Sequence, residues 1–179
     1  MMKNLFQILC GLFLVVSYSS CMHSEEDKVD VLIIGGGASG VTSGIQSARM
    51  GANTLILEES TWLGGMLTSA GVSAVDGNYR LPAGLWGEFK NRLSDYYGGL
   101  DSLKTGWVSN VLFEPSVGNK ILHEMVAAEN NLKVWKQACL EEVKRTGDEW
   151  VAKVKVEGQG VKTVRAKVMI CLLYTSPSP

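Results

Sequence analysis

Cysteine, histidine and proline are scarce in this sequence: 4 Cys, 2 His and 4 Pro in 179 residues. Cys10, Cys21, Cys139 and Cys171 form no CxxC pair, so neither a disulfide framework nor a zinc or iron–sulfur site is expected. An excess of either charge is also missing, with Lys+Arg 17 against Asp+Glu 18 and a net charge of -1. That balance excludes the basic footprint of a nucleic-acid binder and the acidic tail that would attract a cationic partner. No apolar run reaches the roughly 20 residues of a membrane-spanning helix. What is abundant is apolar and flexible: 46% hydrophobic residues and 20 glycines, a globular and not a disordered or fibrous composition.

The two ends read differently from the middle. Lys3 followed by the apolar stretch Leu5 to Val16, then Ser17-Tyr18-Ser19-Ser20-Cys21, has the order of an export signal, so residues 1–21 are assigned to a signal peptide and 22–28 to a polar linker. Cys21, directly after Ser19-Ser20, resembles the acceptor cysteine of a bacterial lipoprotein, although Tyr18 stands where such signals carry leucine. The resemblance implies an exported protein of the bacterial cell envelope, in the periplasm or on the outer membrane, attached through lipidated Cys21. At the other end, residues 171–179 (CLLYTSPSP) resemble the translation of a sequencing adapter and are set aside as a scar. Residues 29–170 then constitute the N-terminal part of a domain that continues beyond them.

The chemistry lies in residues 29–59. Val31 to Ile34 is a β-branched apolar run suited to a strand covered on both faces. Gly35-Gly36-Gly37-Ala38-Ser39-Gly40 follows at once and fits G-x-G-x-x-G. Val41, Ile45, Ala48 and Met50 recur at helical intervals up to Gly51, and Thr54 to Leu57 reads as a second buried strand. The glycines divide the work between them. Gly35 permits the tight turn, Gly37 lets the backbone approach a pyrophosphate, and Gly40 allows close helix–strand packing. The helix N-terminus, with Ala38 and Ser39 in its first turn, holds the phosphates through unpaired N–H groups. Glu58, 18 residues beyond Gly40, is placed to accept hydrogen bonds from a ribose diol. This predicts a dinucleotide site. The acid disfavours a 2′-phosphate and leaves both NAD and FAD open.

Residues 59–71 (ESTWLGGMLTSAG) then resemble the second FAD-contacting segment of glutathione-reductase-type flavoproteins, in the branch related to fumarate reductase and known as FAD-dependent oxidoreductases. The resemblance extends over residues 29–170. It implies an α/β, Rossmann-like FAD-binding fold: a parallel sheet with a β-α-β start that carries a three-stranded antiparallel β-meander. It also implies that Gly35, Gly37, Ala38, Ser39 and Gly40 contact the pyrophosphate, Glu58 the adenosine ribose, and Gly64, Gly65, Met66, Thr68 and Ser69 the flavin side. Relatives that tether FAD covalently use a histidine near this Gly-Gly segment. None occurs here, so the FAD is expected to be non-covalent.

Elsewhere the pattern predicts helices over 83–97 (Leu85, Trp86, Phe89 and Leu93 inward) and 115–130 (Val117, Ile121, Met125 and Val126 inward), separated by a loop over 98–113. A short strand over 132–135, a meander over 139–165 with Cys139 in the core, and a separate strand over 166–170 re-entering the parallel sheet complete the reading. By the resemblance, 138–140 lie beside the adenine. His123 is expected to be structural, and Asp76, Tyr79 and Arg80 are polar loop residues that a substrate or solvent would equally explain. No catalytic residue is nameable. The function implied is an FAD-dependent oxidoreductase acting on an unidentified small-molecule substrate, the piece alone being inactive. The alternatives are an NAD-linked dehydrogenase or reductase and a non-catalytic dinucleotide-binding envelope lipoprotein.

Overall fold

The computed structural model describes residues 26–75, 77, 79–104, 106–107 and 109–173. The expected signal, Cys21, His23, Asp76 and residues 174–179 lie outside that set.

Six strands form one sheet in the order β3-β2-β1-β6-β5-β4: β1 (Glu26–Ile34), β2 (Thr54–Glu58), β3 (Leu132–Lys136), β4 (Ala138–Thr146), β5 (Glu149–Val156) and β6 (Gly160–Cys171). The helices are α1 (Ala38–Arg49), α2 (Gly84–Tyr97) and α3 (Pro115–Ala127). β3, β2, β1 and β6 run parallel, whereas β4, β5 and β6 are antiparallel neighbours.

Alternation along the strands explains the layers, since successive side chains point to opposite faces. Ile33 of β1 and Ile56 of β2 join Val41 and Ile45 of α1 and Ile121, Leu122 and Met125 of α3 in one core. Leu32 and Ile34, with Leu55 and Leu57, face the other way and share a second core with Ala152, Val154 and Val156 of the meander. A strand buried on both faces needs apolar residues at every position, which is why the runs VLII and TLIL carry no polar alternation.

Several expectations are corrected. The third meander strand and the strand re-entering the parallel sheet are one continuous element: β6 pairs with β5 from Gly160 to Ala166 and with β1 from Thr163 to Cys171. No turn residue interrupts VKTVRAKVMI, and backbone pairing on both flanks keeps the strand unbroken. β1 consequently starts at Glu26, inside the stretch expected to be linker and well before Val31, because Thr163–Arg165 offer it partners; Arg165 reaches the Glu26 carboxylate and Lys167 that of Asp30, at 2.7 Å in the second case. Cys139 is exposed, not core, because its neighbour Ala138 takes the inward position on β4. The stretch read as loop also supplies core: Leu103, Val111 and Phe113 are buried, and the Phe113 ring stands edge-on to Phe89 at 5.4 Å. These residues come from a 3-10 turn (Leu100–Leu103) and from extended chain, so they leave no periodic signature. Past the 29–170 span, the chain continues in register: Cys171 pairs with Ile34, and the Leu172 N–H donates to the Ile34 carbonyl at 2.8 Å.

Candidate dinucleotide site

β1 ends at Ile34 and the chain turns at Gly35, whose φ of 103° lies where L side chains are strained. The Gly35 N–H still donates to the Leu57 carbonyl at 2.9 Å, so the turn begins while the chain is clasped to β2. A Cβ on Gly40 would stand 1.8 Å from the Gly35 oxygen. α1 starts this close to the strand only because residue 40 has no side chain. Around Gly37, in contrast, a Cβ would meet nothing within 4 Å, so that side of the loop is open to a ligand.

The first bond of α1 is donated by the Val41 N–H to the Gly37 carbonyl at 2.9 Å. The N–H groups of Ala38, Ser39 and Gly40 precede any intrahelical acceptor. No side chain caps the helix, and its first turn holds no acidic residue. An uncapped helix start with open backbone beside it suits an anionic group such as a pyrophosphate.

Glu58 closes β2. One carboxylate oxygen accepts the Gly36 N–H at 2.8 Å and the other the Ser60 N–H at 2.8 Å. A carboxylate accepts about four hydrogen bonds, so each oxygen keeps capacity for one hydroxyl of a vicinal diol. Glu58 therefore fastens the glycine loop and remains fit to hold a ribose. The sequence pattern predicts the second role alone, and it assigns no role to Gly36, which occupies a free position of G-x-G. The signal for Gly36 is the unbroken run of three glycines: a Cβ there would lie 2.8 Å from the Glu58 carboxylate.

The second glycine segment meets the first directly. The Gly64 N–H donates to the Gly36 carbonyl at 2.8 Å, Gly37 and Gly64 pair as a parallel bridge, and a Cβ on Gly65 would come within 3.1 Å of the Gly37 Cα. A 3-10 turn (Gly65–Leu67) follows. Met66 lies exposed on it and Ser69 exposed just after it. Thr68 is buried, and its hydroxyl donates to the Leu63 carbonyl, so its side chain holds the turn from inside. The Leu63 N–H donates to Asn119 Oδ1 on α3 at 2.9 Å, which hangs the segment from that helix. Asn119 carries no sequence signal, because its partner is 56 residues away.

Gly64 has φ 104°, and a Cβ there would lie 2.6 Å from Leu122 Cδ1 and 2.7 Å from Thr68 Cγ2. Gly64→Ala is expected to cost about 2–3 kcal/mol through backbone strain and overpacking. Urea titration of the variant beside the parent chain measures it.

On the far side of Glu58 an open groove of about 500 Å³ is lined by Glu59, Gln137, Cys139, Lys155, Val156 and Glu157, among others. The expected adenine neighbours thus include an exposed thiol. Gln137 joins β3 to β4 with φ 52°, and its N–H donates to the Ser60 carbonyl while its own carbonyl accepts the Glu157 N–H. That strained link ties the meander to the loop after Glu58.

His123 is half-buried on α3, where desolvation, aided by the Lys136 charge, holds its imidazole below its ordinary pKa of 6.5. The neutral ring is the favoured folded form. Its contribution to stability is full above about pH 6.5 and is lost as pH falls through the depressed folded value. His123→Gln is expected to flatten the fall in unfolding free energy between pH 7 and pH 5, as read by denaturant titration at each pH.

The fold and the site define a dinucleotide-binding α/β protein of the Rossmann-like, FAD-binding type. Residues 30–170 match the family described as FAD dependent oxidoreductase. The chain belongs to that family, and FAD is its cofactor. No match was found among curated proteins. Among solved structures, the chain is similar to a flavoprotein/dehydrogenase from Cytophaga hutchinsonii, with TM-score 0.59 and 16% identity over 81% of this chain and 39% of that one. A geranylgeranyl bacteriochlorophyll reductase-like protein from Thermoplasma acidophilum gives TM-score 0.56 and 19% identity over 82% and 39%. The OxyS anhydrotetracycline hydroxylase from Streptomyces rimosus gives 0.56 and 14% over 80% and 31%. At such identities the likeness is one of fold. The chain spans less than half the length of each of these structures.

Proposed function

We propose that this chain is the dinucleotide-holding part of an exported FAD-dependent oxidoreductase that passes hydride or electrons between a small organic substrate and non-covalently bound FAD. The observation that carries the reading is the pairing of Gly37 with Gly64, which sets the open phosphate loop and the second glycine segment side by side. Bound FAD supplies the two-electron chemistry, and the protein supplies position and electrostatics. The first-turn amides of α1 bind the pyrophosphate, and Glu58 accepts the ribose hydroxyls. The Gly64–Ser69 turn, fixed by Asn119 and Thr68, offers main-chain atoms to the flavin side. Neither histidine of the sequence, His23 or His123, lies in this segment, which favours a cofactor held without a covalent bond. The resemblance of residues 59–71 favours the branch related to fumarate reductase. The order of residues 1–21 supports export, with Cys21 as a lipid anchor in the cell envelope.

Incubation of the purified chain with FAD, followed by gel filtration and acid precipitation, tests the reading. A yellow protein peak whose colour passes wholly into the acid supernatant is expected. A colourless peak would overturn FAD binding, and colour retained in the pellet would overturn the non-covalent mode. Fractionation of cells carrying the tagged protein tests export, and recovery in the soluble cytoplasm would refute it.

A further inference from the structure

Beyond the dinucleotide site, a cavity of about 390 Å³ opens between the Tyr79–Arg80 turn, α2 and the Leu100–Lys104 turn, and three cations line it: Arg80, Lys90 and Lys104. Lys90 is the unusual member. It is only 8% exposed, a rare state for a lysine, and it sits in the middle of α2. Its ammonium donates to the Tyr79 carbonyl at 2.8 Å and the Leu81 carbonyl at 2.9 Å. An ammonium has three donors, and among the described residues the third has no protein acceptor. Arg80 uses Nε on the Tyr79 hydroxyl at 3.1 Å, and its terminal nitrogens have no acceptor among the described residues. Lys104 pairs with Asp101 at 2.8 Å, but the Asp101 side chain is 96% exposed and does not line the cavity.

Trp86, one turn before Lys90 and beneath its ammonium, has a buried Nε1–H without an acceptor among the described residues, although it does not line the cavity itself. Among the described residues, the cavity lining is rich in donors, with three cations, and holds no carboxylate, a lining that a negative group would complement. Arg80 and Lys104 are exposed, whereas Lys90 is held in place by two carbonyls. A fixed ammonium flanked by two exposed cations suits a ligand that arrives from solvent.

We propose that this cavity binds a small oxyanion, the carboxylate or phosphate group of a small molecule, with Lys90 as the fixed donor and Arg80 and Lys104 closing on it. The guanidinium terminus of Arg80 presents two parallel N–H groups to such a group. The site is distinct from the α1 N-terminus, which is also an anion site, and does not depend on the flavin reading.

Calorimetric titration of the FAD-saturated full chain with inorganic phosphate, and separately with acetate, tests the proposal while the α1 terminus is occupied. Saturable binding of either anion is expected, weakened about tenfold by Arg80→Gln or Lys104→Gln and further by the double variant. The two titrations distinguish a phosphate from a carboxylate site. Both side chains are exposed, so the variants should keep the parent melting temperature and flavin content. Absence of saturable binding for both anions, or binding unchanged in the double variant, overturns the proposal. A chain that fails to take up FAD refutes the proposed function instead, and the anion titration then reads the α1 terminus as well.

Discussion

Gly40→Val abolishes retention of FAD on gel filtration and lowers stability by on the order of 4 kcal/mol. The expectation follows from one distance: the first atom of any side chain at residue 40 would lie 1.8 Å from the Gly35 carbonyl oxygen. Neither group can yield cheaply. The Gly35 carbonyl belongs to the turn whose N–H is tied to Leu57, and α1 is anchored against the sheet by Val41 and Ile45, both fully buried. Relief requires α1 to move off β1, which opens the core and carries the first-turn amides away from the open face of Gly37. The same displacement separates Gly36 from Glu58 and from Gly64. Visible absorbance of the FAD-treated variant, with a urea titration alongside, reads both effects. Retention of a stoichiometric yellow cofactor would show that the helix start does not hold the phosphates.

The second large effect is at Glu58. In Glu58→Gln one carboxylate oxygen becomes an NH2 group, which must face the N–H of either Gly36 or Ser60, both now at 2.8 Å. One hydrogen bond is lost and two donors confront each other, a change of about 2–3 kcal/mol in stability. One ribose hydroxyl also loses its acceptor, so FAD affinity should fall about 10- to 100-fold beyond any loss of folded protein. Flavin fluorescence titration at a temperature where both proteins are folded separates affinity from stability. An unchanged affinity would mean that Glu58 serves the loop alone.

Much of this is legible in the residues. The run VLIIGGGASG gives a doubly covered strand, a turn that needs glycine and a helix start without a capping side chain, because each is a local consequence of side-chain size and polarity. Glu58 is legible for the same reason: a strand of four buried residues ends in one acid. The helices α2 and α3 follow from apolar spacing. What is not legible comes from contacts between distant residues. The burial of Leu103, Val111 and Phe113 depends on a partner ring at Phe89 and not on any period in their own segment. The exposure of Cys139 depends on which face of β4 meets the second core, and a one-residue shift reverses it.

The sequence by itself determined the dinucleotide motif and the parallel start of the sheet, since both reside in short stretches where glycine, β-branched residues and one carboxylate leave the backbone few alternatives; those stretches left NAD and FAD open, and the resemblance of residues 59–71 pointed to FAD. Tertiary structure alone decided that β6 serves both the meander and the parallel sheet, that Glu58 fastens the loop it faces, and that Asn119 and Thr68 hold the second glycine turn. It also placed a lysine under cover beside two other cations. The reason is physical: backbone hydrogen bonds and close packing join residues without regard to their separation along the chain, and no local pattern records which of them will meet.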